Sequence, residues 1–233
     1  LNNVSKVYKE NREKIINQFE QMKLVFKEFN LKTAVIKQDV EPLVEKILQY
    51  MDEKNGGFKG APKFPQLYIF DTIFYFYIKN KKNTFLDVVR KLLNNISSKG
   101  IYDHLGGGIS RYTVDEKWIV PHFEKMLYDN ILFVRTVNNY LVVKKDKKLN
   151  DKLIQTINFI NNEFLNDKNL LGSAYDADSE GIEGKYYVWS IEEIKGLLGN
   201  DIDTFKKKYL VTKEGTFDGS NILIENENFE LNE

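Results

Sequence analysis

Apolar positions along the first 160 residues recur every three to four places, the period of helices with one buried face. Over 3–30 they are Val4, Val7, Ile15, Phe19, Met22, Val25, Phe26 and Phe29, which predicts a single amphipathic helix. A second helix is predicted over 39–53. Asp39 is its N-cap, and Pro42 sits in the first turn, where a missing N–H costs nothing. Asn55-Gly56-Gly57 stops it. Residues 66–80 are apolar nearly all round, so that third helix is expected to be buried. A fourth spans 84–98. Pro121 is read as opening a fifth, long helix to Lys145, and 148–166 as a sixth.

The period then changes. LLGSAYDADSEGIEGKYYVWS at 170–190 places short apolar ends around an acidic, glycine-punctuated turn and predicts a β-hairpin. Ser190-Ile191-Glu192-Glu193 reads as a capped helix start. A short helix over 201–209 and a turn and strand over 215–226 complete the chain.

Helices come in pairs, separated by turns at Gly56-Gly57-Phe58, Gly100-Ile101-Tyr102, Leu171-Gly172 and Gly215-Thr216-Phe217. Stacked helix pairs make a solenoid or a closed α/α toroid. The long polar loops share one phase of this repeat, so they should gather at one end. A toroid with its functional loops on one rim is the more economical reading.

Lys plus Arg equals Asp plus Glu, 34 each, which argues against nucleic acid as a partner. There is no cysteine, so disulfides, zinc ribbons and thiol catalysis are excluded within these residues. No apolar run reaches the roughly 20 residues of a membrane span. No membrane partner and a cytoplasmic location are expected.

Three segments carry candidate chemistry. GGFKGAPKFPQ at 56–66 is shaped by glycine and proline, and Lys63 and Gln66 offer donors. It is either a helix connector or a pocket wall. The second segment holds Asp103, His104, the triple glycine 106–108, Arg111, Asp115, Trp118, His122, Glu124, Lys125 and Asp129. On the predicted fifth helix, His122, Lys125 and Asp129 share one side. A neutral histidine there can act as general base. Each histidine could equally brace the loop by hydrogen bonds. No H-E-x-x-H is present, so no metal is expected. The third segment places Asp176, Asp178 and Glu180 before Tyr187 and Trp189. Paired carboxylates serve acid/base work, and aromatics beside acids suit a sugar pocket. The plain alternative is a solvated hairpin tip.

GGFKGAPKFPQ, then YDHLGGGISRYTVDEKWIVPHFEKMLYDN, then AYDADSEGIEGKYYVW resemble the thioredoxin-domain-containing proteins related to spermatogenesis-associated protein 20 and bacterial YyaL. The resemblance implies a mainly α fold, part of an (α/α)6 toroid similar to six-hairpin glycosidases and N-acylglucosamine 2-epimerase, with short β-hairpins in the rim loops. It implies that 1–30 is a linker helix leaving a thioredoxin-like domain, and that 31–233 is the N-terminal half of the toroid. Half a toroid is expected to leave apolar helix faces uncovered. The motif positions carried over as a site are Lys63, Asp103, His104, Arg111, Asp115, Trp118, His122, Glu124, Lys125, Asp129, Asp176, Asp178, Glu180, Tyr187 and Trp189. The catalytic histidines of the epimerases are not matched by motif. Lys59 and Ser110 depart from the family's usual glycine and histidine.

The expected function is carbohydrate-active: epimerase- or glycosidase-like proton transfer on a sugar, without a cofactor. His122 or Glu124 would act, with Asp176 or Asp178 as partner. The remaining motif residues would bind substrate. The alternative is a non-catalytic platform working with the thioredoxin-like domain.

Overall fold

The computed structural model of the 233-residue chain describes residues 2–29 and 39–229. They divide into two compact units, 1–40 and 41–233. The expected boundary segment 31–38 lies outside the described residues. In the first unit the predicted single helix is two: α1 (Asn2–Glu10) and α2 (Arg12–Phe29). They meet at Asn11, whose side-chain amide donates to the Val7 carbonyl.

The second unit starts with α3 (Glu41–Leu48), shorter than its predicted span. The reason lies in Asp52. Its carboxylate accepts from the backbone N–H groups of Lys54 and Asn55 and bends the chain into a turn. Then follow α4 (Leu67–Asn80), α5 (Asn83–Ser98), α6 (Leu127–Val143) and α7 (Lys147–Phe159). A wider π-helical turn, Ile160–Phe164, closes α7. The last pair is α8 (Ile191–Leu198) and α9 (Ile202–Lys208). The expected cap at Ser190 is present as a full capping box with Glu193.

Helix α4 packs on α5 and on α6, α6 on α7, and α5 on α7. Paired helices therefore stand in two rows, α4 with α6 and α5 with α7. The core between them holds Phe70, Ile73, Val89, Leu92, Leu93, Ile96, Phe133 and Val137. Each such burial contributes ~1.5–3 kcal/mol. Helix α4 is not buried all round as its composition predicts. Tyr68 stays 58% exposed and Tyr75 62% exposed. On α6, Tyr128, Ile131 and Val142 are likewise exposed. Uncovered apolar helix faces are what a partial toroid was expected to show.

One correction reshapes the rim. Pro121 does not open α6, which begins at Leu127. Residues 121–126 are non-helical, with a tight turn at Phe123, because their backbone groups are claimed elsewhere. His122 N–H donates to the Tyr112 carbonyl, and Arg111 N–H to the Glu124 carbonyl. Strand β1 (Lys125–Met126) pairs antiparallel with β2 (Ala174–Tyr175). His122, Glu124 and Lys125 therefore do not lie on a helix face. The predicted 170–190 hairpin is also divided: β2 joins β1, while β3 (Asp178–Ser179) and β4 (Ile182–Glu183) form the actual hairpin.

The triple glycine serves packing. Gly107 and Gly108 have φ of +88° and +81°. A Cβ on Gly108 would stand 2.6 Å from the Phe159 ring, and one on Gly107 2.7 Å from the Gln155 carbonyl oxygen. Only glycine lets this loop lie against α7.

Candidate functional site

The segments entering α4, α6 and α8 meet at one end of the unit. Thr113 bridges to Lys63 on one side and to Pro121 on the other. This pairing sets Phe64, Tyr112 and His122 side by side. The Phe64 and Tyr112 rings are 4.7 Å apart, and the Tyr112 and His122 rings are stacked at 4.8 Å. His122 Nδ1 lies 3.0 Å from a Glu183 carboxylate oxygen. One continuous ladder thus takes a residue from each of the three rim loops.

Beside it, Arg111 pairs with Glu124 at 3.0 Å. Asp129 lies in the first turn of α6 and is only 9% exposed. Burial pushes its carboxyl up to about 7; Arg111 and the Tyr128 hydroxyl pull the other way, and the Glu124 charge adds to the rise. His122 and Glu124 are presented by a tight turn in which Glu124 N–H donates to the His122 carbonyl. Phe123 between them has φ of +62°, unusual for a bulky residue. Its buried ring holds the turn, stacked on Tyr187 and set edge-on against Phe217.

Other expected site residues face inward. Lys63 is 1% exposed, pairs with Asp52 at 2.7 Å and lies over the Trp118 ring. Lys125 is 2% exposed, pairs with Asp103 at 2.7 Å and donates to the Gly107 carbonyl. Trp118 is buried and donates to the Asn55 carbonyl. Asp115 accepts from the backbone N–H groups of Lys117, Ile119 and Val120, so it shapes the turn. These residues brace the rim rather than face it.

His104 is also framework. Its Nε2 is 3.1 Å from the Lys99 carbonyl, so Nε2 carries the proton. Burial lowers its pKa, which keeps the ring neutral. Nδ1 then accepts from Lys152 at 3.0 Å. Lys152 in turn pairs with Glu225 at 2.8 Å, tying the 221–226 segment to α7.

The third segment divides. Asp176 and Asp178 are exposed, and Asp176 accepts from the Asp178 N–H. The acid on His122 is Glu183, which the sequence reading passed over. Glu183 is the cross-strand partner of Asp178, so the two side chains share a face of the hairpin. The Glu180-Gly181 turn carried that register. Glu180 pairs with Lys185. Glu180, Tyr187 and Trp189 line a cleft of about 430 Å³ together with Asp103, Tyr102 and Ile222. Tyr112 and Phe64 are further rim residues the sequence reading gave no role.

Helices packed in pairs, with their long loops meeting at one end, are the architecture of an α/α toroid. A crystal structure of a sugar epimerase from a ruminal bacterium matches 73% of this chain and 47% of its own, with a TM-score of 0.51 at 18% identity. Cellobiose 2-epimerase from Spirochaeta thermophila matches 60% and 41%, with a TM-score of 0.50 at 15% identity. This likeness establishes the fold: a partial toroid of helical hairpins.

The nearer kinship is in sequence. Human spermatogenesis-associated protein 20 is 32% identical over 157 residues, 63% of this chain and 20% of that protein. An uncharacterized protein of Caenorhabditis elegans is 34% identical over 163 residues, 64% and 22%. The chain is therefore related to spermatogenesis-associated protein 20, as its motifs imply, and spans about a fifth of the length of these relatives. No protein-family model matches it. Among the described residues, no helix is long and apolar enough to cross a membrane.

Proposed function

We propose that this chain carries part of a sugar-handling rim that performs epimerase-like proton transfer at a sugar carbon. The ladder Phe64–Tyr112–His122–Glu183 carries the reading. Its aromatic faces suit the apolar face of a sugar ring. With Nδ1–H donated to Glu183, His122 Nε2 holds a lone pair and can act as base. Arg111 and Glu124 stand ready for the hydroxyls. Glu183, with its hairpin neighbour Asp178, takes the partner role once expected of Asp176 or Asp178. The cleft with Tyr187, Trp189 and Glu180 would extend the binding surface. The fold of sugar epimerases supports this reading as analogy of scaffold only.

The test is saturation-transfer NMR of the protein with cellobiose and free hexoses, followed by exchange of the sugar C2 hydrogen in deuterated buffer. Contact with the sugar ring, lost in His122→Ala, is the expected result. Absence of contact with every sugar tried would overturn it. A second reading is favoured by the exposure of Asp176 and Asp178. In it the rim is a non-catalytic platform that works with a thioredoxin-like domain. Binding without hydrogen exchange, unaffected by His122→Ala, would select it.

A further inference from the structure

Two atoms of the rim cluster are buried and make no hydrogen bond: Arg111 Nε, a donor, and Asp129 Oδ2, an acceptor. Leaving a buried polar group unpaired costs about 1–3 kcal/mol. A cluster that leaves a cationic donor and a carboxyl acceptor both unfilled is set up for a second arrangement. In the present one, Arg111 holds Glu124 through Nη1. The charged and titratable groups acting on Asp129 come from both elements around it: Arg111 and Glu124 from the non-helical segments, and Tyr128 from α6. Among the charges, Arg111 acts most strongly.

A protonated Asp129 makes little demand on Arg111. An ionised one offers its empty Oδ2 to the empty Nε–H, a charge-assisted hydrogen bond of the stronger kind. Only a proton leaves, to solvent; no covalent bond forms or breaks. We propose that Asp129 is a positioning residue whose protonation decides whether Arg111 stays on Glu124 or is shared with Asp129, and so when Glu124 is free to act at the rim. Burial places the Asp129 transition in the neutral range. The inference rests on the reading of Glu124 as a rim residue, but its test needs no sugar.

The measurement is the Arg111 Nε–H resonance of the full chain, assigned by its loss in Arg111→Lys. It is followed from about pH 5.5 to about pH 8.5, the interval around the expected transition. The resonance should move with a midpoint near 7 and stand still in Asp129→Asn. In Glu124→Gln the midpoint should fall by about one unit, because Arg111 is released to Asp129. A flat wild-type resonance, or a shift that survives Asp129→Asn, would overturn the proposal. Should Asp129→Asn not fold, carbon NMR of labelled aspartates decides. A carboxyl titrating near neutrality supports the proposal, and aspartates all titrating in the ordinary carboxylate range sink it. A protein that binds no sugar yet shows this titration would refute the sugar reading and leave the inference standing.

Discussion

The two histidines of the chain sit only 18 residues apart and live in opposite surroundings. His104 is sealed, with Nε2 on a carbonyl and Nδ1 on a lysine. His122 has a side chain 35% exposed, stacks on a tyrosine and gives one nitrogen to an acid. The same division runs through the lysines and carboxylates. Lys63, Lys125, Asp103 and Asp115 have their polar atoms engaged inside the fold. Arg111 and Asp129 keep atoms without partners. Residue type says little about role here; unfilled hydrogen-bonding capacity says more.

The largest effect should come from the framework side. Lys125→Ala strips the partner from Asp103 in a site where the lysine is almost wholly covered. Breaking a buried pair by removing one member costs about 3–5 kcal/mol. Urea denaturation reads this directly. A loss below about 1 kcal/mol would show that Lys125 is not framework and belongs with the open group.

Asp129→Asn should act in the opposite direction. The carboxyl titrates near 7 in the folded chain against an ordinary value of 3.8. The folded state therefore binds a proton the unfolded state has released, and stability falls as pH rises between those values. Asparagine carries no such penalty. The variant should gain roughly 2–4 kcal/mol over wild type at slightly alkaline pH and match it where both carboxyls are protonated. Equal stability at all pH values would place Asp129 among the satisfied residues.

The sealed histidine makes a third, smaller prediction. His104 is depressed below its ordinary 6.5, and Glu225 below its ordinary 4.5. For the histidine, burial disfavours the charged form; for the glutamate, the contact with His104 and the charge and hydrogen bond of Lys152 outweigh burial. In both cases the unfolded state takes up the proton first. Stability is present at neutral pH and declines as acid passes 6.5, then more steeply below 4.5. The limb that begins at 6.5 belongs to the histidine. Thermal melts of wild type against His104→Gln should show that limb in the first and not in the second.

How much of this was legible in the sequence depends on which interactions decide each element. The helix pairs and the Ser190 cap were readable because periodicity and capping are local. Pro121 misled because its preference for a first helical turn is weak against the backbone bonds offered by Arg111 and Tyr112. Those partners lie ten or more residues away, and no local pattern announces them. The rim as a meeting place of three loops was foreseen from the phase of the repeat. Its working pairs were not. Glu183 could have been found from the Glu180-Gly181 turn, which places it opposite Asp178. The covered state of Lys63, Lys125 and Trp118 could not, since a lysine between proline and phenylalanine reads the same whether it faces solvent or an aspartate.

The smallest stability effect should be at His122, and it separates the two histidines most sharply. Its ring touches Tyr112 on one side and Glu183 at one nitrogen, in a position open to solvent. Removing it forfeits one stacking contact and one exposed hydrogen bond, together below about 1 kcal/mol. His122→Ala should therefore melt within a few degrees of wild type while losing contact with any sugar that the wild type binds. Glu183→Gln should also leave the melt unchanged. It keeps a hydrogen-bond acceptor at Nδ1 but removes the negative charge beside the ring, so it should weaken proton transfer more than binding. If His122→Ala instead unfolds the chain, the ladder is framework like His104, and the search for the acting base moves to Glu124.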